Sequence, residues 1–203
     1  MVGESADFLY NVDQMKTPYT RDDLLSAVEA GRTFDYLYFW GHRPEADGSI
    51  GPSCCSQWFT VSFEVGGVSY ASAEHFMMAE KARLFGDIEM IKRILMTPTA
   101  NEAKALGRKV AGFDATEWEA HSFNIVVRGN EAKFSQNPRL RAWLIKTEPS
   151  ILVESSPVDP IWGIGLHRDD PRAQDPKEWN GSNLLGFALT KVRDLLQAPT
   201  KKM

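Results

Sequence analysis

The chain has 203 residues, 43% of them hydrophobic and 25% charged, and a formal net charge of −4. These values fit one globular domain with its own core, and they exclude a broadly basic surface for sequence-independent binding of long nucleic acid while leaving room for a local phosphate site. No apolar run has the length of a transmembrane helix, and Met1 to Asp7 lacks the basic and apolar segments of a signal peptide, so a cytoplasmic protein is expected.

Residues 1–35 read as an N-terminal extension with one short helix. Thr20-Arg-Asp-Asp23 resembles a capping box, Leu24, Leu25 and Val28 make an apolar face, and Gly31 is the stop. One domain is expected over 36–197, followed by a frayed tail at 198–203. Phe34 to Trp40 is dense in aromatics and predicts a buried strand; the Pro- and Gly-containing stretch from Gly41 to Ser53 predicts a loop. The only cysteines, Cys54 and Cys55, are adjacent and read as free thiols, and His42, His75, His121 and His167 show no metal-ligand spacing. Neither a metal nor a cofactor is expected. Gln57 to Val65 resumes strand character, and Gly66-Gly67 is a hairpin signal before Val68 to Tyr70.

Ser72 is a good N-cap, and the sequence predicts a helix over about 73–85 closed by Gly86. Further helices are predicted from Asp87 to Met96, from a cap at Thr97 or Thr99 to Gly107, and from Asp114 to Gln136. In the last of these, Trp118, Ser122, Ile125, Gly129 and Ala132 recur at helical spacing and read mostly as core. Asn137 and Pro138 restart a helix through Ile145, with Asn as N-cap. Ile151 to Pro157 reads as a short strand entering a turn, Ile161 to Leu166 as a second extended piece, and 167–180 as a surface loop or lid. The final helix begins near Ser182-Asn183 and lines Leu184, Leu185, Ala188, Leu189, Val192, Leu195 and Leu196 on one face. No internal repeat, low-complexity tract or second core is visible. The fold class is mainly α, an α+β domain with a few short strands.

Three stretches suggest chemistry. On the 73–85 helix, Glu74, Met77, Met78, Lys81, Leu84 and Phe85 share one arc, which puts a carboxylate and an ammonium on the apolar side, while His75, Glu80 and Arg83 point towards water. Seven residues separate the two charges, about 10 Å along the axis, enough to bracket a sugar-sized object. The plainer alternative is a snorkelling Lys81 and a Glu74 that serves the helix dipole. In the second stretch, Glu154 to Gly165, the carboxylates Glu154 and Asp159 flank a turn, and Trp162 sits beside Gly163 and Gly165, a combination suited to a heteroaromatic base or a phosphate. A turn in which Asp159 caps its own backbone explains it equally well. The third, Trp179 to Gly186, is a polar helix start whose amides suit a phosphate or simple capping.

The ordered set Ser56-Gln-Trp58, Tyr70 to Ala82, Phe85-Gly-Asp87, Gly107-Arg-Lys-Val110, Lys133-Phe134, Val153 to Leu166 and Trp179 to Gly186 resembles the NADAR family, also called YbiA-like, over about Phe39 to Leu196. Cys54-Cys55 departs from the Pro or apolar residue expected before Ser-Gln-Trp. The resemblance implies a single YbiA-like helical domain and an N-glycosidase acting on ribosyl-nitrogen bonds. Its substrates are then ribosylamino-pyrimidine phosphates of riboflavin synthesis, ADP-ribose attached to guanine in nucleic acid, or both; the competing reading is a non-catalytic NAD or ADP-ribose binding module. Glu74 is the expected general acid, Lys81 a charge or an amine nucleophile, and Asp159 the group that orients ribose or water. Trp58 and Trp162 are expected against the base, and Gly163, Gly165, Asn183 and Gly186 against phosphate.

Overall fold

Residues 16–198 are described by a computed structural model of the chain. The beginning of the expected N-terminal extension and nearly all of the expected tail lie outside the described residues. Local capping chemistry sets most helix starts. Helix α1 (Arg21–Glu29) begins where the Thr20 hydroxyl accepts the Asp23 amide at 3.0 Å, and the Asp23 carboxylate accepts the Tyr19 amide instead of completing the box on Thr20.

Strand β1 (Tyr36–Phe39) is followed by a 3-10 turn at Pro52–Cys55. Strands β2 (Phe63–Val65) and β3 (Val68–Tyr70) form an antiparallel hairpin around Gly66 and Gly67, whose φ of 61° and 77° only glycine adopts without cost. Extended pairing therefore occupies only the end of the Gln57–Val65 stretch. Then come α2 (Ala73–Leu84), α3 (Ile88–Leu95), α4 (Ala100–Gly107), the long α5 (Ala115–Gln136) and α6 (Pro138–Ile145). Thr99 and Glu102 form a full capping box on α4, and the Asp114 carboxylate accepts the Glu117 amide at 2.8 Å at the start of α5. Asn137 does not cap α6 with its side chain. Its amide donates to Ser62 and Lys133 carbonyls, which ties the β2 approach to α5. Strand β4 (Ile151–Glu154) and α7 (Leu184–Gln197) complete the elements.

α2 is the central helix, packed by α3, α4 and α5. Phe76 is fully buried, edge-on to Tyr70 with ring centroids 5.0 Å apart, and Gly129 of α5 makes room for it: a Cβ there would lie 2.4 Å from the Phe76 ring. Of the residues expected on the solvent side of α2, only Arg83 is exposed. His75 and Glu80 are buried along with the apolar residues, His75 between Ser72 Oγ at 2.8 Å and Thr97 O at 3.1 Å, and Glu80 paired with Arg83 and Arg128. Neighbouring elements surround the helix, so its polar residues are satisfied by partners and not by water.

β1 and β4 pair in parallel, with Phe39 opposite Glu154. Alternation along this ladder sends Leu37, Phe39 and Leu152 into the main core and Tyr36, Tyr38, Ile151 and Val153 into a second, smaller cluster on the other face. This second cluster, not visible in the sequence, also takes Leu24 of α1, fully buried beside Ile164, Trp179 and Phe187. Short strands carry too few residues for the alternation to stand out. The 167–180 stretch holds 3-10 turns at Pro171–Gln174 and Pro176–Glu178, pinned where Tyr38 and Trp179 both donate to the Ala173 carbonyl.

Candidate active site

The C-terminal ends of β1 and β4 open towards the first turn of α2. Around that meeting point lies a cavity of about 270 Å³, lined by the 56–58 segment, α2, α4, the start of α5 and the turn after β4. The backbone fixes the junction: the Glu74 amide donates to Gln57 O at 2.9 Å, while Gln57 is held by the Asn130 side chain at 2.8 Å and Ser56 O by buried Lys133 at 2.9 Å. α5 thus holds the segment that delivers Trp58 to the cavity.

Five of the expected residues, Glu74, Lys81, Trp58, Asp159 and Trp162, line this cavity. Glu74 is 4% exposed. Burial is the main reason its carboxyl is pushed up to about 7; Lys104, a hydrogen bond from the Trp58 side chain and Arg108 favour the ionised form, and Asp159 opposes it. Glu154 also faces the cavity and is pushed up to about 8, first by burial, then by Asp159 and Glu74, with Lys104 opposing. Its Oε2 is buried without a hydrogen-bond partner among the described residues. The site therefore holds two buried acid groups that retain protons near neutrality, beside the Asp159 carboxylate.

Asp159 caps its own turn and also lines the cavity. Its Oδ1 accepts the amides of Ile161 at 3.1 Å and Trp162 at 2.9 Å, and its charge acts on both glutamates. The segment Ile161 to Leu166 is a run of turns and bends and not the expected extended piece. Lys81 lies with Nζ 3.9 Å from the Phe113 ring centre and 5.6 Å from that of Trp118, without an ion-pair partner among the described residues. Burial holds its ammonium below the usual lysine range.

The residues expected as a phosphate cradle, Gly163, Gly165, Asn183 and Gly186, do not line the cavity, and Gly163 and Asn183 are committed to bonds within the fold. Gly163 donates to Asp159 O and accepts from Asn183 N; the amides of Leu184 and Leu185 at the start of α7 go to the carbonyls of Ile161 and Trp162. Asn183, fully buried at φ 53°, accepts the Glu154 amide at 2.9 Å and donates to Leu152 O at 3.0 Å. Gly186 and Gly165 are glycines for close packing: a Cβ at Gly186 would lie 2.1 Å from Leu152 O, and one at Gly165 2.9 Å from Asn180.

Lys104 and Arg108, absent from the expected set, line the cavity from α4, and Trp118, read as core, forms part of its wall. Their sequence signal is the place of Arg108 inside the Gly107-Arg-Lys-Val110 motif and the i, i+4 spacing from Lys104.

The family profile described as the NADAR domain matches residues 38–197. The chain belongs to the NADAR family. It is 42% identical over 167 residues to N-glycosidase R617 of Acanthamoeba polyphaga mimivirus, a match covering 80% of this chain and 96% of that protein. A second relative is the riboflavin biosynthesis protein PYRR, chloroplastic, of Zea mays, 30% identical over 135 residues, covering 62% of this chain but 19% of that longer protein. The NMR structure of the Escherichia coli protein YbiA superposes with a TM-score of 0.64 at 24% identity, covering 81% of this chain and 86% of that one, so the YbiA-like α+β fold is shared. NADAR relatives bearing the name N-glycosidase make this chain an enzyme of the N-glycosyl hydrolase class. Among the described residues no helix is long and apolar enough to cross a membrane.

Proposed function

We propose that the cavity hydrolyses the bond between C1′ of a ribosyl group and the nitrogen of a heteroaromatic leaving group, with Glu74 as the proton donor. The carrying observation is the Glu74 carboxyl, almost fully buried and pushed up to about 7 at the head of an aromatic-walled cavity. A group in this range holds a proton to give to a departing nitrogen and, once ionised, takes one from water. Asp159 stands where a carboxylate steadies the positive charge that develops on the sugar. Glu154, neutral near pH 7, offers a hydrogen bond to a ribose hydroxyl. Trp58 and Trp162 supply flat apolar surface for the base.

Lys81 is the amine nucleophile in this reading. Its ammonium is held below the usual range by burial and has no carboxylate to neutralise it among the described residues. On an opened ribosylamine the amine adds to C1′, the leaving nitrogen departs with a proton from Glu74, and water hydrolyses the resulting iminium to free the sugar and the lysine.

Of the two substrate classes the ribosylamino-pyrimidine phosphates fit better. The cavity of about 270 Å³ lies just below the usual range of ligand pockets, about 300 to 1,000 Å³, which favours the smaller substrate, and the name of the maize relative points the same way. The net charge of −4 adds to this preference. Incubation with these intermediates, and separately with an oligonucleotide carrying ADP-ribose on guanine, tests the reading: ribose 5-phosphate is released from the first. Release of ADP-ribose alone transfers the assignment to nucleic acid, and tight binding of ADP-ribose without release from either substrate returns the chain to a binding module.

A further inference from the structure

We infer that Lys104 and Arg108 form an anion subsite at the mouth of the cavity, and that it takes the phosphate carried by the ribosyl substrate. The inference rests on the N-ribosyl reading above and locates the charged end of that substrate. Four positions apart, Lys104 in the last turn of α4 and Arg108 at its C-cap present an ammonium and a guanidinium to the same cavity as Glu74. Gly107 permits this placement. A Cβ there would lie 2.0 Å from Met78 Sδ, so its absence lets the end of α4 rest directly on α2.

Among the described residues neither cation has a carboxylate within ion-pair distance, whereas Arg83 and Arg128 nearby are both taken up by Glu80. Lys104 Nζ lies instead 5.7 Å from the Trp58 ring centre. The cavity is thus divided, with two buried acids at its head, Lys81 over its aromatic wall, and the unpaired Lys104 and Arg108 together on the more exposed side. That division matches a substrate with an electron-deficient reacting centre and an anionic end. The backbone contributes nothing to the anion, because α4 ends here and presents carbonyls. The guanidinium fork can take two phosphate oxygens and the ammonium a third. Of the alternative anion holders, the amides of Ile161 to Ile164 at the turn and of Ser182 to Leu185 at the start of α7 are already bonded within the fold.

The subsite also acts on the chemistry. Glu74 is faced by Lys104 and Arg108 from α4, Trp58 from the preceding segment, Glu154 from β4, Asp159 from the turn and Lys81 from its own helix. Of these, Lys104, the Trp58 hydrogen bond and Arg108 draw it towards ionisation, and Lys104 does the same to Glu154. A phosphate dianion seated on the two cations cancels their pull, so binding of the phosphate keeps the proton on the acid that must donate it.

Isothermal titration calorimetry of the full chain with ribose 5-phosphate and with ribose, at pH 7.5 in two buffers of different ionisation enthalpy, tests this without turnover. Ribose 5-phosphate binds at least about 10-fold more tightly than ribose and takes up a fraction of a proton. Lys104→Gln and Arg108→Gln each weaken ribose 5-phosphate by about 10-fold or more and leave ribose unchanged, and Lys104→Gln removes the proton uptake. Equal binding of the two ligands, or undiminished binding of ribose 5-phosphate by both variants, overturns the subsite, and binding without proton uptake overturns its coupling to the acid. Hydrolysis is followed separately, so loss of the N-glycosidase reading with these affinities intact leaves the subsite standing.

Discussion

Asn183 accepts the backbone amide of Glu154 at 2.9 Å across 29 residues of sequence, and its own amide donates to Leu152 O at 3.0 Å. The residue at the start of α7 thus fixes the end of β4, and with it the direction of a buried acid. Replacing Asn183 by Ala leaves a buried donor and acceptor unpaired and places Ala at φ 53°. The expected loss of stability is about 2–4 kcal/mol, read as a lower urea midpoint at constant m value. Because Asn183 does not line the cavity but aims Glu154, the folded variant weakens ribose and ribose 5-phosphate to the same degree; a loss confined to ribose 5-phosphate would restore a direct phosphate role.

Asp159 raises both glutamates through its charge but holds the turn through one oxygen. Asp159→Asn keeps that acceptor and removes the charge. Turnover slows because the developing cation loses its partner, and the alkaline limb of kcat/KM, expected near pH 7 from Glu74, moves to lower pH. A pH–rate profile decides, and an unmoved limb means that another group sets it.

Glu74 also leaves a mark on stability. Its folded value of about 7 exceeds the ordinary 4.5, so between those pH values the native protein keeps a proton that the unfolded chain has released. Stability therefore falls as pH rises through that window and levels off above it; Glu154 extends the fall towards pH 8. Glu74→Gln removes the penalty. The variant is expected to be more stable than wild type by roughly 2–3 kcal/mol at pH 8 and no different at pH 4, while turning over at least about 10²-fold more slowly. Urea midpoints at the two pH values, with one rate measurement, check both halves.

Lys81 rests over Phe113 and Trp118 without a carboxylate partner among the described residues. Borohydride added during turnover reduces an iminium on this amine and inactivates the enzyme, with the sugar-derived mass located on the peptide carrying Lys81. Full retention of activity under trapping leaves Lys81 an electrostatic role only. Lys81→Arg, which keeps the charge, separates the two: it retains activity only if charge suffices.

Much of the architecture follows from bonds made within a few residues. Ser72, Asp87, Thr99 and Asp114 accept the amide three positions on, Gly66-Gly67 turns the hairpin, and Pro138 opens α6, so these elements are legible in the sequence. The helical period by itself places Glu74 and Lys81 on one side of α2, and the cavity has that side. Asp159 and Trp162 stand out from the local pattern of Glu154 to Gly165, and Trp58 from motif resemblance alone; both carry residue identity but not direction. Tertiary structure decided the rest. It buried His75 and Glu80 by surrounding α2, turned Glu154 into the cavity by pairing β4 with β1, and consumed the amides at Gly163 and the start of α7 in backbone bonds. It also brought Lys104 and Arg108 beside acids about 30 residues before them and 50 after. Capping and periodicity are local and can be read along the chain, whereas burial, pKa and charge pairing depend on which distant elements close around a side chain, and the sequence around that side chain does not record them.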